Sequence, residues 1–175
     1  MAETELTKKI KTALYYYTNA HLQGVYGAFE VVMGANTIGY GNERVDFLTM
    51  DSDSVFRCYE IKVSKKDLHS NAQLSFYGDY NYLVVPDHLY DEALEFVMTV
   101  YGEKTGVIRY NTATGKLELR WRPQRQKLRI EQRIVNMYNM VRSASRYTTK
   151  WVKANAPKDD SPCDDIIGTG GSGND

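Results

Sequence analysis

Arg44-Val-Asp-Phe-Leu-Thr-Met50 and Phe56-Arg-Cys-Tyr-Glu-Ile-Lys-Val63 are two short apolar stretches that carry charges in their interior. Both read as strands, rich in β-branched and aromatic residues, and Asp51-Ser-Asp-Ser54 between them reads as a turn. Strand side chains alternate, so Glu60 and Lys62 project to the face of Phe56 and Cys58, while Tyr59, Ile61 and Val63 project to the other. Burying a carboxylate or an ammonium is costly unless the group is paired or bound to a metal. Glu60 and Lys62 in a central strand therefore have two explanations, a structural ion pair or catalysis.

Working outward, residues 28–33 read as a preceding strand set off by Gly24 and Gly27, and three consecutive strands predict an antiparallel meander. Ahead of them Leu6, Ile10, Ala13, Leu14 and Tyr17 recur at helical spacing over 4–20, with Lys8, Lys9 and Lys11 largely on the other side. The segment opens as an amphipathic helix. The polar segment 64–77 has helical character and leads into 80–85, an apolar run ended by Pro86 that reads as a fourth, buried strand. The unit so far is α-β-β-β-α-β.

Beyond Pro86, residues 87–101 carry Leu89, Ala93, Leu94, Phe96 and Val97 in a helical pattern, and 106–110 with 116–121 form a hairpin. Residues 124–153 predict a long helix with Ile130, Ile134, Met137 and Val141 on one stripe and Arg142, Arg146, Lys150 and Lys153 nearly opposite. The expected organisation is one α/β domain with a mixed central sheet over 1–154, followed by a flexible, acidic, Gly-rich tail over 155–175.

With 175 residues, 42% of them hydrophobic, the chain suits a single core. Its 22 Lys+Arg balance 22 Asp+Glu, so bulk charge by itself recruits neither nucleic acid nor an anionic membrane. No apolar run approaches the roughly 18 residues of a membrane span, and 1–13 lacks a signal peptide's apolar region, so no membrane partner and a cytoplasmic place are expected. Cys58 and Cys163 are too far apart in sequence to suggest a disulfide framework or a thiolate zinc site, and His21, His69 and His88 match no metal-binding spacing. The 14 tyrosines, Tyr15 to Tyr17 among them, suit base stacking and half-buried faces alike.

Metal-assisted phosphodiester cleavage needs hard carboxylate oxygens to hold Mg²⁺ (or Mn²⁺) and a group to orient or deprotonate the attacking water. Asp46 and Glu60 are the candidate ligands, the carbonyl of Ile61 a further one, and Lys62 the group acting on water and phosphate. Asp46, thirteen intervening residues and Glu60-Ile-Lys62 within an α-β-β-β-α-β order resemble the PD-(D/E)XK nuclease superfamily. Tyr59-Glu-Ile-Lys-Val-Ser-Lys-Lys-Asp-Leu68 with Phe76-Tyr-Gly-Asp-Tyr-Asn-Tyr-Leu-Val-Val-Pro86 is similar to the MmcB family of DNA-repair-associated proteins. The resemblance implies a restriction-endonuclease-like core extended by the C-terminal hairpin and long helix, a Mg²⁺- or Mn²⁺-dependent activity, and Asp46, Glu60 and Lys62 as its active site. Val45-Asp46 stands where the superfamily has Pro-Asp. Glu30 is the first-ranked extra acid, and Gln73-Leu-Ser-Phe-Tyr77 resembles the Gln-x-x-x-Tyr element of RecB-like nucleases, which would bring Gln73 to the active site.

Nucleic acid is the expected partner, with DNA favoured by the resemblance. Between Lys116 and Lys153 eleven Lys/Arg face only Glu118 and Glu131, which suggests a phosphate-facing surface including Arg142, Arg146 and Lys150; Lys65 and Lys66 are further candidates for phosphate contact. A double-strand cut would call for a homodimer. The alternative is a catalytically silent nucleic-acid-binding or protein-interaction module on the same fold.

Overall fold

The computed structural model describes residues 3–33, 43–70 and 76–156. The chain divides into two compact units, Met1–Ala144 and Ser145–Asp175. The first is built on a six-stranded mixed sheet whose spatial order follows the chain: β1 (Val25–Met33), β2 (Glu43–Asp51), β3 (Phe56–Ile61), β4 (Tyr80–Pro86), β5 (Thr105–Tyr110) and β6 (Leu117–Trp121). β1, β2 and β3 form the expected antiparallel meander, β3, β4 and β5 run parallel, and β6 returns antiparallel to β5 as the expected hairpin. The hairpin's turn is held by Asn111, whose side-chain oxygen accepts the amides of Ala113 and Thr114, with Gly115 supplying a φ of 69°.

The helix α1 (Glu5–Tyr17) starts where the Thr4 hydroxyl accepts the Thr7 amide at 3.2 Å. It buries Ile10 and Leu14 against Phe47, Tyr59, Ile61 and Val84 on one side of the sheet. Lys11 departs from the expected outward face: its side chain turns toward β1 and pairs with Glu30. Position 11 sits three residues before Leu14, at the border of the apolar stripe, and a long side chain there can reach the sheet.

On the other side, α3 (Tyr90–Val100) buries Ala93 and Val97 against Leu83, Val85 and Val107, and Met140 packs beside Val31, Val45, Phe56 and Cys58. The helix expected over 64–77 is a single turn among the described residues, α2 (Lys65–Leu68), capped by the Ser64 hydroxyl. Residues 87–89 form a 3₁₀ turn ahead of α3.

The last helix, α4 (Ile130–Asn155), begins six residues later than the pattern predicts, because the amides of Gln124 and Gln126 donate at 2.7 Å to the carbonyls of Glu103 and Asp79. Its orientation is the larger difference. The apolar stripe Ile130, Ile134, Met137 and Val141 is exposed, while Asn136, Asn139, Met140 and Ser143 are buried. The buried polar groups have partners: Asn136 Nδ2 donates to the Tyr77 carbonyl at 2.7 Å and Ser143 Oγ to the Glu30 carbonyl at 3.4 Å. The first turn is fixed by Arg133, whose guanidinium donates twice to the fully buried Asp79 carboxylate, at 2.7 and 3.0 Å. Asp79 also accepts the Phe56 amide at 2.9 Å, which ties this helix to the start of β3.

Candidate active site

The strand β3 alternates as its sequence predicts. Phe56 and Cys58 belong to the core on one side of the sheet, Tyr59 and Ile61 to the core beneath α1, and Glu60 therefore points away from α1. β1 and β2 do not alternate throughout. Phe29 pairs with Phe47 and both face α1, whereas Val31 pairs with Val45 and both face the opposite side. Regular pleating would put residues two apart on one face, so both strands invert between these pairs, at Glu30 and Asp46. Glu30 carries the inversion with a left-handed φ of 54°, which costs an ordinary residue about 1–2 kcal/mol.

The inversion places Asp46 against the end of β3. Its Oδ2 accepts the Ile61 amide at 2.7 Å, and its carboxyl group lies near enough to that of Glu60 for its charge to act on it. Lys62 follows immediately, with its amide donating to the Val84 carbonyl at 3.0 Å and its ammonium donating to Asp67 Oδ1 at 3.3 Å. Glu60 and Lys62 are only 7% and 8% exposed, so this charge cluster is held out of bulk water.

Burial pushes the Glu60 carboxyl up to about 9, and the adjacent Asp46 charge adds to the shift while Lys62 opposes it. Asp46 is also raised, first by burial and then by the charge of Glu30, against the Ile61 amide, Lys11 and Lys62. Without a cation, Glu60 therefore keeps its proton at neutral pH. Cys58, on the same face as Glu60, is raised well above a free thiol by burial and by the Glu60 charge, which makes it a poor nucleophile.

Glu30 faces this pair with its own charge already matched: it pairs with Lys11 and with Arg44 Nε at 2.6 Å, and Lys11 also holds Glu3 at 2.7 Å. Burial works against the Lys11 charge, but Glu3 and Glu30 outweigh it and raise its pKa. Lys11 and Asp67 are the participants that strand and helix patterns did not indicate. Gln73 lies outside the described residues. Lys65 binds Glu92 at 2.7 Å, with His69 on the same carboxylate at 2.8 Å, whereas Lys66 has no ion pair among the described residues. Arg142 lies 5.6 Å over the Tyr138 ring; Arg146 and Lys150 are exposed in the second unit.

Among the described residues, no three acidic, imidazole or thiol groups converge closely enough to hold a metal ion as a set. The pair itself fits a hard divalent cation. Two neighbouring carboxyls, one of them raised to about 9, lack the positive charge such an ion supplies, and all of their donors are oxygen.

No family model matches the chain, and no curated protein matches it. One solved structure does. SPO1766, a protein of unknown function from Silicibacter pomeroyi, superimposes with a TM-score of 0.65 at 16% identity, over 89% of this chain and 97% of that one. The two share a fold. Among the described residues, no helix is long and apolar enough to cross a membrane.

Proposed function

We propose that this chain is a divalent-metal-dependent deoxyribonuclease of the PD-(D/E)XK type, resembling the MmcB family and acting in DNA repair, recombination or a mobile-element context. The observation that carries this reading is the buried Glu60 carboxyl with Asp46 close to it at the end of a central strand and Lys62 beside them. A structural role for Glu60 would call for a cation in contact with it. Instead, Lys62 is turned to Asp67.

Asp46 and Glu60 would hold Mg²⁺ or Mn²⁺, with the Ile61 carbonyl as a further oxygen donor. The bound ion would supply Lewis-acid polarisation of a phosphodiester and an acidified water. Asp46 is preorganised for this by the Ile61 amide, which fixes one carboxylate oxygen and leaves the other for a ligand. Lys62 presents an ammonium to the phosphate and to the attacking water, offsetting charge as it develops. Glu30, held by Lys11 and Arg44, contributes its field to the pair and is the reserve acid of the site.

DNA contact would come from Lys66 beside the site and from the basic side chains of α4, namely the half-buried Arg142 and the exposed Arg146 and Lys150, with Lys65 joining on release from Glu92. The expected compartment is the cytoplasm, where such a substrate lies, and a double-strand cut would engage two copies of the chain. The test is incubation of the purified protein with linear, circular, single-stranded and branched DNA in Mg²⁺, Mn²⁺ or EDTA, alongside Asp46→Ala and Glu60→Ala. Cleavage that requires the ion and both carboxylates is the expected result. Wild-type rates in either variant would remove the assignment.

A further inference from the structure

A cleft of about 620 Å³ lies between α1 and the β5–β6 hairpin, on the side of the sheet away from Glu60. Lys8 and Lys9 line it from the helix and Lys116 from the hairpin, against a single acid, Glu5. Lys8 takes that acid at 3.8 Å, so Lys9 and Lys116 keep their charge without an ion pair among the described residues. The cleft's aromatic wall comes from the same helix. Tyr16 is 60% exposed and Tyr17 41%, so both rings are open to a ligand. Tyr16 is steadied edge-on by Tyr15, with centroids 5.7 Å apart, and by His21 at 5.2 Å.

The aromatic and basic character continues past Tyr17, which also lines a second cavity of about 370 Å³. There Tyr82 stacks on the buried Tyr59 with ring centroids 5.0 Å apart, and Arg57 contributes a guanidinium already paired with Asp51 at 2.7 Å. Arg122 is near enough for its charge to act on the hydroxyls of both Tyr17 and Tyr82. Lys9 and Lys116, without ion pairs among the described residues, beside the exposed faces of Tyr16 and Tyr17 are what a flexible polyanion with stackable bases requires. A duplex keeps its bases stacked on each other, and an acidic peptide offers carboxylates without bases, so each would use only the charge.

We propose that this α1–hairpin cleft binds a single-stranded polynucleotide, with Tyr16 and Tyr17 stacking bases and Lys9 and Lys116 taking phosphates. The site is separate from the Asp46–Glu60 pair and does not depend on cleavage there. It gives the chain a hold on an unpaired strand from the opposite face of the sheet.

The experiment is fluorescence anisotropy of the full chain with labelled oligo-dT and oligo-U of about twelve nucleotides, in EDTA, so that the carboxylate site takes no part. Lys9→Glu with Lys116→Glu should weaken binding about tenfold or more and lower the slope of log affinity against log salt by about 1.4, for two phosphate contacts at roughly 0.7 each. Tyr16→Ala should weaken it about fivefold or more with the slope unchanged, and Tyr16→Phe should restore it. All of these residues are exposed, so melting temperatures should match the wild type. Tighter binding of one oligonucleotide decides between DNA and RNA. No binding by the wild type, no loss in either variant, or equal competition by poly-glutamate would overturn the proposal.

Discussion

The Lys62 ammonium donates to Asp67 Oδ1 at 3.3 Å, so the cation beside the carboxyl pair is held by α2 and not by Glu60. Asp67 is in turn fixed by its amide, which donates to the Ser64 hydroxyl at 3.2 Å. A one-turn helix thus sets the position of the one ammonium that the proposed chemistry uses.

Lys62→Ala should therefore abolish metal-dependent cleavage while sparing both Mn²⁺ affinity and the fold. Asp67 is part-exposed, so losing this ion pair costs no more than about 1 kcal/mol. If Lys62 were instead the structural partner of Glu60, its loss would strand a buried carboxylate and cost on the order of 3–5 kcal/mol. Calorimetry with Mn²⁺, a nicking assay and a thermal melt on this variant separate the two. A badly destabilised variant whose wild-type parent binds no metal would sink the nuclease reading.

Arg133→Ala should be among the most damaging substitutions away from the site. It leaves the fully buried Asp79 carboxylate with the Phe56 amide at 2.9 Å and the Arg125 Nε at 3.9 Å. The expected loss is about 3 kcal/mol or more in urea unfolding, with much of it recovered when Asp79→Asn and Arg133→Met are combined. Equal stability of Arg133→Ala and wild type would mean that the pair does not anchor α4.

The residues that made the fold legible were those whose environment is local. Alternation in β3 put Glu60 with Phe56 and Cys58, and the meander, the buried fourth strand and the hairpin all followed from runs and turns in the sequence. Two features were not legible for one shared reason. The stripe of Ile130, Ile134, Met137 and Val141 marks a helix but not the face it buries, because Asn136 and Ser143 are drawn inward by the carbonyls of Tyr77 and Glu30, more than fifty residues away. The pleat inversion at Glu30 and Asp46 likewise arises from two strands together. Either strand alone reads as regular, so the sequence singled out Asp46 as a candidate while leaving the contact with Ile61 and the recruitment of Lys11 unseen.

Reversing Arg142, Arg146 and Lys150 to Glu should weaken DNA binding for every sequence and flatten its dependence on log salt, as expected when phosphate contacts are lost. Arg133 of the same basic block is paired with Asp79 and Arg120 with Glu118, so neither is included in the reversal. A filter-binding titration at several salt concentrations measures it. An unchanged slope would mean that these side chains are only solvated.

The pH dependence of the cation-free protein follows from Glu60. Its carboxyl holds a proton up to about 9 in the folded chain, against an ordinary value of 4.5. Between those values the folded state binds more protons than the unfolded one, so stability from this group is full below about 4.5, falls as pH rises and is gone above about 9. One proton limits the slope to about 1.4 kcal/mol per pH unit. In EDTA, urea midpoints of the wild type should therefore fall between about pH 5 and about pH 9, while Glu60→Gln, which cannot ionise, should remove most of that fall. Mg²⁺ should flatten the wild-type curve by displacing the Glu60 proton, and should do nothing for Glu60→Gln with Asp46→Ala. Identical profiles for wild type and Glu60→Gln in EDTA would mean that Glu60 ionises freely, and with it the case for a charge-starved carboxyl pair awaiting a divalent ion would fail.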